Sequence, residues 1–154
     1  MNKYITKLGE INADEKNIVT FPQGIPGYEN LRKFILISPP EISPIMWLLS
    51  LENSNIGFPV VQPYFVKPDY EIDIPEDEMK FLKTDKPEDI FVISMLTLRK
   101  NPDDNTVNLL APVVISLSNN IGIQIILENY NYNTRHNVKE ELLKAKAAEK
   151  SGDK

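Results

Sequence analysis

The sequence predicts a mainly β fold: a single compact β-barrel-like domain with a short helix near residues 75–83 and a helix at the C-terminus. Three observations carry that reading. Isoleucine is the commonest apolar residue, with 18 copies, whereas alanine occurs five times and three of those follow residue 144. The first 134 residues are therefore rich in strand formers and poor in the best helix former. Twelve prolines fall at short intervals between Pro22 and Pro112, which confines helices there to brief pieces and marks turns and strand edges. Eight short apolar segments complete the pattern, as in a barrel or sandwich.

In chain order the expected strands are Lys3 to Gly9, Lys16 to Phe21, Phe34 to Ile37, Met46 to Leu51, Gly57 to Gln62, Ile90 to Leu98, Ala111 to Leu117 and Gly122 to Leu127. The run Ile90-Phe91-Val92-Ile93-Ser94-Met95-Leu96 is apolar on both faces, so it reads as the most deeply covered strand, while Ile121 to Ile125 alternates. Between the second and third strands, Pro22 and Pro26 fix φ while Gly24 and Gly27 admit positive φ. Phe21 to Tyr28 then reads as a rigid corner anchored by its two aromatic ends. Trp47, in Met46-Trp47-Leu48-Leu49, reads as core.

The short helix is expected from Pro75 to Leu82. Pro75 suits its first turn, Glu76, Asp77 and Glu78 complement its dipole, and Met79 and Leu82 face inward. A second helix is expected from about Asn137 to Lys150, rich in Ala, Leu, Lys and Glu. Its apolar set, Val138, Leu142, Leu143 and Ala145, makes a stripe too narrow to dock it firmly, which predicts a loosely held tail. The chain thus divides into a domain at 1–136 and a helical tail at 137–154.

A chain of 154 residues with 48 Ile, Leu, Val and Phe supports one domain with a real core. Cysteine is absent and His136 is the single histidine, which removes disulfides, thiol nucleophiles, Cys/His zinc sites and any metal site built on two imidazoles. No apolar run approaches a membrane span and residues 1–10 lack a signal-peptide core, so the expectation is a cytoplasmic protein without a membrane association. Residues 1–134 carry 11 Lys/Arg against 18 Asp/Glu, a net −7, and residues 135–154 carry 6 against 4, a net +2. An acidic body argues against direct binding of nucleic acid and favours basic partners.

The candidate chemical motifs are weak. Asp69-Tyr70-Glu71-Ile72-Asp73 with Glu76-Asp77-Glu78 places six acids in ten residues. An EF-hand loop starting at Asp69 would need Gly where Ile74 stands and Glu where Lys80 stands. The stretch reads instead as an alternating strand with a solvated face, leading into the acid-started helix. Gly24-Ile25-Pro26-Gly27 lacks the spacing of a phosphate loop. His136, beside Arg135 in a polar stretch, reads as a surface or turn residue; Ser116 and Ser118 lie in a strand-like segment with no nucleophile elbow. No catalytic residue, cofactor or metal site is expected.

Taken in order, six segments resemble one family: Phe21-Pro22-Gln23-Gly24-Ile25-Pro26-Gly27-Tyr28-Glu29, Trp47-Leu48-Leu49-Ser50-Leu51-Glu52, Phe58-Pro59-Val60-Val61-Gln62-Pro63, Pro68-Asp69-Tyr70, Asn108-Leu109-Leu110-Ala111-Pro112-Val113-Val114-Ile115 and Tyr132-Asn133-Thr134-Arg135-His136. The pattern, spanning about residues 3–136, resembles the flagellar assembly factor FliW family. It departs at Leu48-Leu49 and Asn53-Ser54, where the family often has Leu-Gln and Asp-Pro.

The resemblance implies a β-barrel-like binding protein without enzymatic activity, monomeric when free, with two alternative partners. One is flagellin before its export. The other is the translational regulator CsrA, an RNA-binding dimer that represses flagellin synthesis until it is sequestered. Within the matching segments, Tyr70, Asn108, Tyr132, Arg135 and His136 are the exposed polar positions expected to touch a partner, with Asp69 and Glu71 as charges for a basic one. Asn108 and Arg135 have a second reading as hydrogen-bonders at strand ends. The competing function is a small ligand-binding or hydrolytic barrel using carboxylates such as Asp69 and Asp73 at its mouth. A filled interior without a concave carboxylate pair speaks against it, and a polar cavity of several hundred cubic ångströms speaks for it.

Overall fold

The computed structural model of the chain describes residues 2–128 and 131–152. It begins with a hairpin, β1 (Asn2–Thr6) and β2 (Gly9–Ala13), that pairs only with itself. The following strands are β3 (Ile18–Thr20), β4 (Lys33–Ile37), β5 (Met46–Ser50), β6 (Gly57–Val61), β7 (Ile90–Thr97), β8 (Thr106–Val107), β9 (Val113–Ser116), β10 (Ile121–Gln124) and β11 (His136–Asn137). The helices are α1 (Glu76–Phe81) and α2 (Val138–Gly152).

Seven strands close into a barrel in the order β3, β4, β5, β6, β7, β9, β10. Two pairings shut the ring: antiparallel β7 with β9, in the register Ile90 to Ser116 through Ile93 to Val113, and parallel β10 with β3 at Ile121 and Thr20. Closure removes the free edges that a seven-stranded open sheet would expose. Off β7 hangs a short ribbon, β8 and then β11, from which the chain runs directly into α2.

Alternation along each strand sorts the apolar residues into the interior and two outer layers. The interior holds Phe21, Phe34, Leu48, Val60, Ile93 and Val113, with Phe21 and Phe34 edge-to-face at 5.2 Å. β10 contributes Gly122 to this layer, where a Cβ would stand 2.7 Å from the Phe21 ring. Outside, Ile35 and Leu49 are covered by Tyr4, Ile11 and Ala13 of the hairpin. On the opposite outer face Val92 and Leu96 are covered by Val66, Tyr70, Leu82 and Val107. β7 is therefore covered on both sides, as its unbroken apolar run requires.

All eight expected strands are present with shifted ends, and α1 and α2 fall where their sequences place them. Gly24 and Gly27 adopt φ of +68° and +88°. A side chain at Gly24 would stand 2.5 Å from the Glu29 backbone. At the corner they build, Phe21 is fully buried, whereas Tyr28 is partly exposed and packs edge-to-face on Phe58 at 5.3 Å. Trp47 is half-buried on the layer beneath the hairpin. One expectation fails: residues 71–75 alternate in burial but pair with no strand.

Candidate functional site

Three segments meet on the β8 side of the barrel: residues 67–71, residues 131–137 and the first turns of α2. Tyr70 is the keystone. It is 4 % exposed, its hydroxyl donates to the Leu109 carbonyl at 2.8 Å, and its ring lies 4.7 Å from that of Tyr132 and 5.9 Å from that of Tyr64. Burial raises the Tyr64 phenol above its ordinary pKa, and the nearby Tyr132 phenol acts in the same direction. The Tyr132 hydroxyl accepts the Glu71 N–H at 2.9 Å, so the second aromatic fixes the backbone at which the first turns inward.

The Asn133 carbonyl accepts N–H groups from both Leu109 and Leu110 at 3.2 Å, fastening the 131–137 segment to the barrel. His136 then joins that segment to the helix. Its Nε2 accepts the Asn133 N–H at 2.9 Å and its Nδ1 lies 3.0 Å from Glu141 Oε2. A ring nitrogen that accepts carries no proton, so the neutral imidazole bears its hydrogen on Nδ1 and donates it to the carboxylate. Glu141 is 6 % exposed, and its other oxygen lies 3.8 Å from Lys144 Nζ. Asn137 caps α2 by accepting the Glu140 N–H at 2.9 Å, while its amide donates to the Asp103 carbonyl; Lys139 pairs with Asp103 at 3.2 Å.

These contacts answer the expectation that α2 lacks the surface to dock. Leu142 and Leu143 are indeed exposed, but Val138 packs against the outer core and the first turn is held by polar groups. The contact that anchors its start is a buried acid on a histidine, which an apolar stripe does not register.

Between the three segments lies an open cleft of about 610 Å³, with Asp69, Glu71, Tyr132, Arg135, His136 and Glu141 on its walls. Five of the seven expected partner residues therefore share one depression, which the sequence distributes over two separate motifs. Two expectations need correction. Tyr70 is not an exposed contact: strict alternation sends Asp69 and Glu71 outward and the aromatic between them into the core. Asn108 is half-buried and outside the cleft, its Oδ1 accepting the Ala111 N–H at 2.9 Å, which is the strand-end role. Arg135 is exposed, with its N–H held by Asn133 Oδ1 at 2.8 Å. His136 is no loose surface residue, and the acid that holds it, Glu141, was missed. The signal available was a helix cap at Asn137 followed one turn later by a carboxylate.

The cleft is mixed in charge, with Lys67, Arg135 and Lys144 among its acids; Asp69 pairs with Lys67 at 3.3 Å. Among the described residues no serine or threonine lines it, and both imidazole nitrogens are engaged. Asp69 and Asp73 do not converge, because Asp73 rims a different depression. The barrel interior is packed with side chains, which speaks against the hydrolytic reading, while the cleft is a polar depression outside the barrel that brings Asp69, Glu71, Glu140 and Glu141 together, which speaks for it. No helix among the described residues is long and apolar enough to cross a membrane.

Comparison with known proteins gives one consistent result. The family model described as "FliW protein" matches residues 3–138. A relative from Thermotoga neapolitana, named flagellar assembly factor FliW, is 43 % identical over 145 residues, covering 94 % of this chain and 97 % of its own. Another of that name from Clostridium beijerinckii is 44 % identical over 131 residues, covering 84 % and 93 %. Among solved structures, a crystal structure of the flagellar assembly factor FliW superposes with a TM-score of 0.84 at 37 % identity, covering 89 % of this chain and 96 % of that one.

Proposed function

The chain belongs to the FliW family, and from that membership we propose that it is a non-enzymatic partner switch of flagellar assembly in the cytoplasm. It binds newly made flagellin, and when flagellin has been exported it sequesters CsrA and so relieves repression of flagellin synthesis. The observation that supports this reading is the cleft of about 610 Å³, where Asp69, Glu71, Tyr132, Arg135 and His136 converge on an open external surface. An RNA-binding dimer must offer basic surface, and the acids at the cleft rim suit that charge. The net −7 over residues 1–134 fits a protein that takes the regulator rather than its RNA.

The test is native mass spectrometry of the purified chain with flagellin and CsrA from the same source, followed by titration. Each partner is expected to bind alone and to displace the other, and because coupling is reciprocal both affinities weaken by the same factor. A ternary complex with unchanged affinities overturns the switch. In a gel assay the chain alone leaves flagellin mRNA unshifted and, added to CsrA with that RNA, releases it; a direct shift by the chain overturns the antagonist reading. Arg135→Ala and Glu71→Lys, both at exposed positions, are expected to weaken at least one partner about tenfold with an unchanged melting midpoint.

A further inference from the structure

A second depression, of about 430 Å³, lies between the turn after β6, α1 and the outer face of β7. Its walls are Ile72, Ile74, Met79, Ile90 and Val92, with Tyr64 at one side and Asp73 at the rim. It shares no lining residue with the cleft.

The backbone beside it is unpartnered. Glu71 gives its N–H to Tyr132, but the N–H and carbonyl groups of Ile72, Asp73 and Ile74 have no hydrogen-bond partner among the described residues. Burial over the same stretch alternates: Glu71, Asp73 and Pro75 are exposed, while Ile72 and Ile74 are half-buried. A segment with strand periodicity, two apolar side chains in a depression and free backbone groups has what pairing with an added strand requires, although it belongs to no sheet of its own. Its charge selects that neighbour. Six acids and no base stand between Asp69 and Glu78, and among the described residues only Asp69 and Glu76 of these are ion-paired. Unpaired Glu71, Asp73, Asp77 and Glu78 disfavour nucleic acid and anionic membranes and favour a basic chain.

We propose that residues 72–74 accept an added strand: an extended segment of a partner protein in which basic and apolar residues alternate. Its backbone pairs with Ile72 to Ile74, an apolar side chain fills the depression, and its Lys or Arg residues meet Glu71, Asp73 and Asp77. Backbone pairing supplies affinity, while the depression and the acids supply specificity. Apart from Glu71, which also stands on the cleft wall, the inference does not draw on the cleft or on which partners use it.

The test uses the full ¹⁵N-labelled chain and the peptide acetyl-Lys-Val-Lys-Leu-Lys-Val-Lys-amide, with two controls: the same peptide with Glu for Lys, and with Ser for Val and Leu. The basic apolar peptide is expected to shift the amides of Ile72, Asp73, Ile74, Met79 and Ile90 and to slow hydrogen exchange at 72–74 about tenfold or more. The Glu control does not bind, and the Ser control binds at least about tenfold more weakly because it leaves the depression empty. Asp73→Lys with Asp77→Lys, both exposed, weakens binding about tenfold at ~0.15 M salt without moving the melting midpoint. His136→Ala leaves peptide binding unchanged, which separates this site from the cleft. Absence of binding, shifts confined to residues 131–141, unslowed exchange at 72–74 or equal binding of the Ser control each overturn the proposal.

Discussion

The barrel and the module built against its β8 side are held by different forces. The barrel is sealed by a closed ladder of backbone pairs around Phe21, Phe34, Leu48, Val60 and Ile93, so its stability comes from apolar area and close packing. The module, comprising residues 131–137 and the start of α2, adds to the short β8–β11 pairing and the packing of Tyr132 and Val138 a set of single polar ties through Asn133, His136, Asn137 and Glu141. A packed interior resists change at any one atom only by spreading the strain, whereas a polar joint depends on single groups. The division lets a binding surface be altered or loosened without endangering the scaffold beneath it.

The sharpest way to break the comparison is at its apolar extreme. Phe34 is fully buried and touches both Phe21 and Phe58, so Phe34→Ala is expected to cost about 3–5 kcal/mol in chemical denaturation. The barrel and α2 should then unfold together, because the module has no floor without it. An α2 that outlasts the barrel would show that the module folds on its own.

The next effect lies at the joint. His136→Ala leaves the Asn133 N–H and the buried Glu141 carboxylate without their partner, a local loss of about 1–3 kcal/mol. Amides in the first turns of α2 should exchange roughly tenfold to a hundredfold faster, while those of β4 and β5 keep their protection. Glu141→Gln retains an acceptor for the imidazole N–H and should lose less. A large fall in barrel protection for either variant would erase the distinction between the two regions.

How much of this division could be read from the sequence follows the same line. The barrel was legible because its signal is repeated: eight apolar segments, two φ-positive glycines and a strand apolar on both faces all survive in the structure. β2 was missed because Gly9-Glu10-Ile11-Asn12-Ala13 offers two short apolar side chains, and β8 and β11 because two residues carry no period. At the candidate site, Tyr132, Arg135 and His136 were named as motif residues and Asp69 and Glu71 as charges for a basic partner, but their convergence in one cleft is a property of the topology. Glu141 was missed because its partner lies across a strand-to-helix junction without a loop, so the carboxylate one turn after the Asn137 cap was the one signal for it. Tyr70 was misplaced although the alternation Asp69-Tyr70-Glu71 already put it inside.

A smaller effect concerns the barrel's own polar ties. Glu52 accepts the N–H groups of Arg32 and Lys33 at 2.6 and 2.9 Å, and these bonds, that from Arg32 foremost, hold its carboxyl below the usual glutamate value. Asp89 accepts from Ser118 and Ser116 and is lowered for the same reason, Ser118 being the larger cause. A carboxylate lowered by folding stabilises the folded state above its unfolded pKa and loses that contribution as pH falls through the folded one. The barrel should therefore weaken on acidification below the ordinary carboxylate range, and Glu52→Gln or Asp89→Asn should flatten that limb of the stability curve. An unchanged acid limb in both variants would mean that other carboxylates govern it.

The smallest effect is a matter of sign. Ser94, in the middle of β7, is fully buried on the outer face of the strand with Val92 and Leu96, and its hydroxyl has no hydrogen-bond partner among the described residues. If the barrel is an apolar structure throughout, this one polar atom contributes only the cost of its lost hydration. Ser94→Ala removes the hydroxyl and little volume, so stability should rise by up to about 1 kcal/mol, since an unpaired buried hydroxyl costs on that order. The measurement is the denaturation midpoint at constant slope, and a change in slope would signal an altered unfolded state. A loss of stability would mean instead that the hydroxyl is satisfied in solution by a buried water between β7 and the covering segment. The line between an apolar barrel and a polar module would then run inside the outer layer of β7, not along its edge.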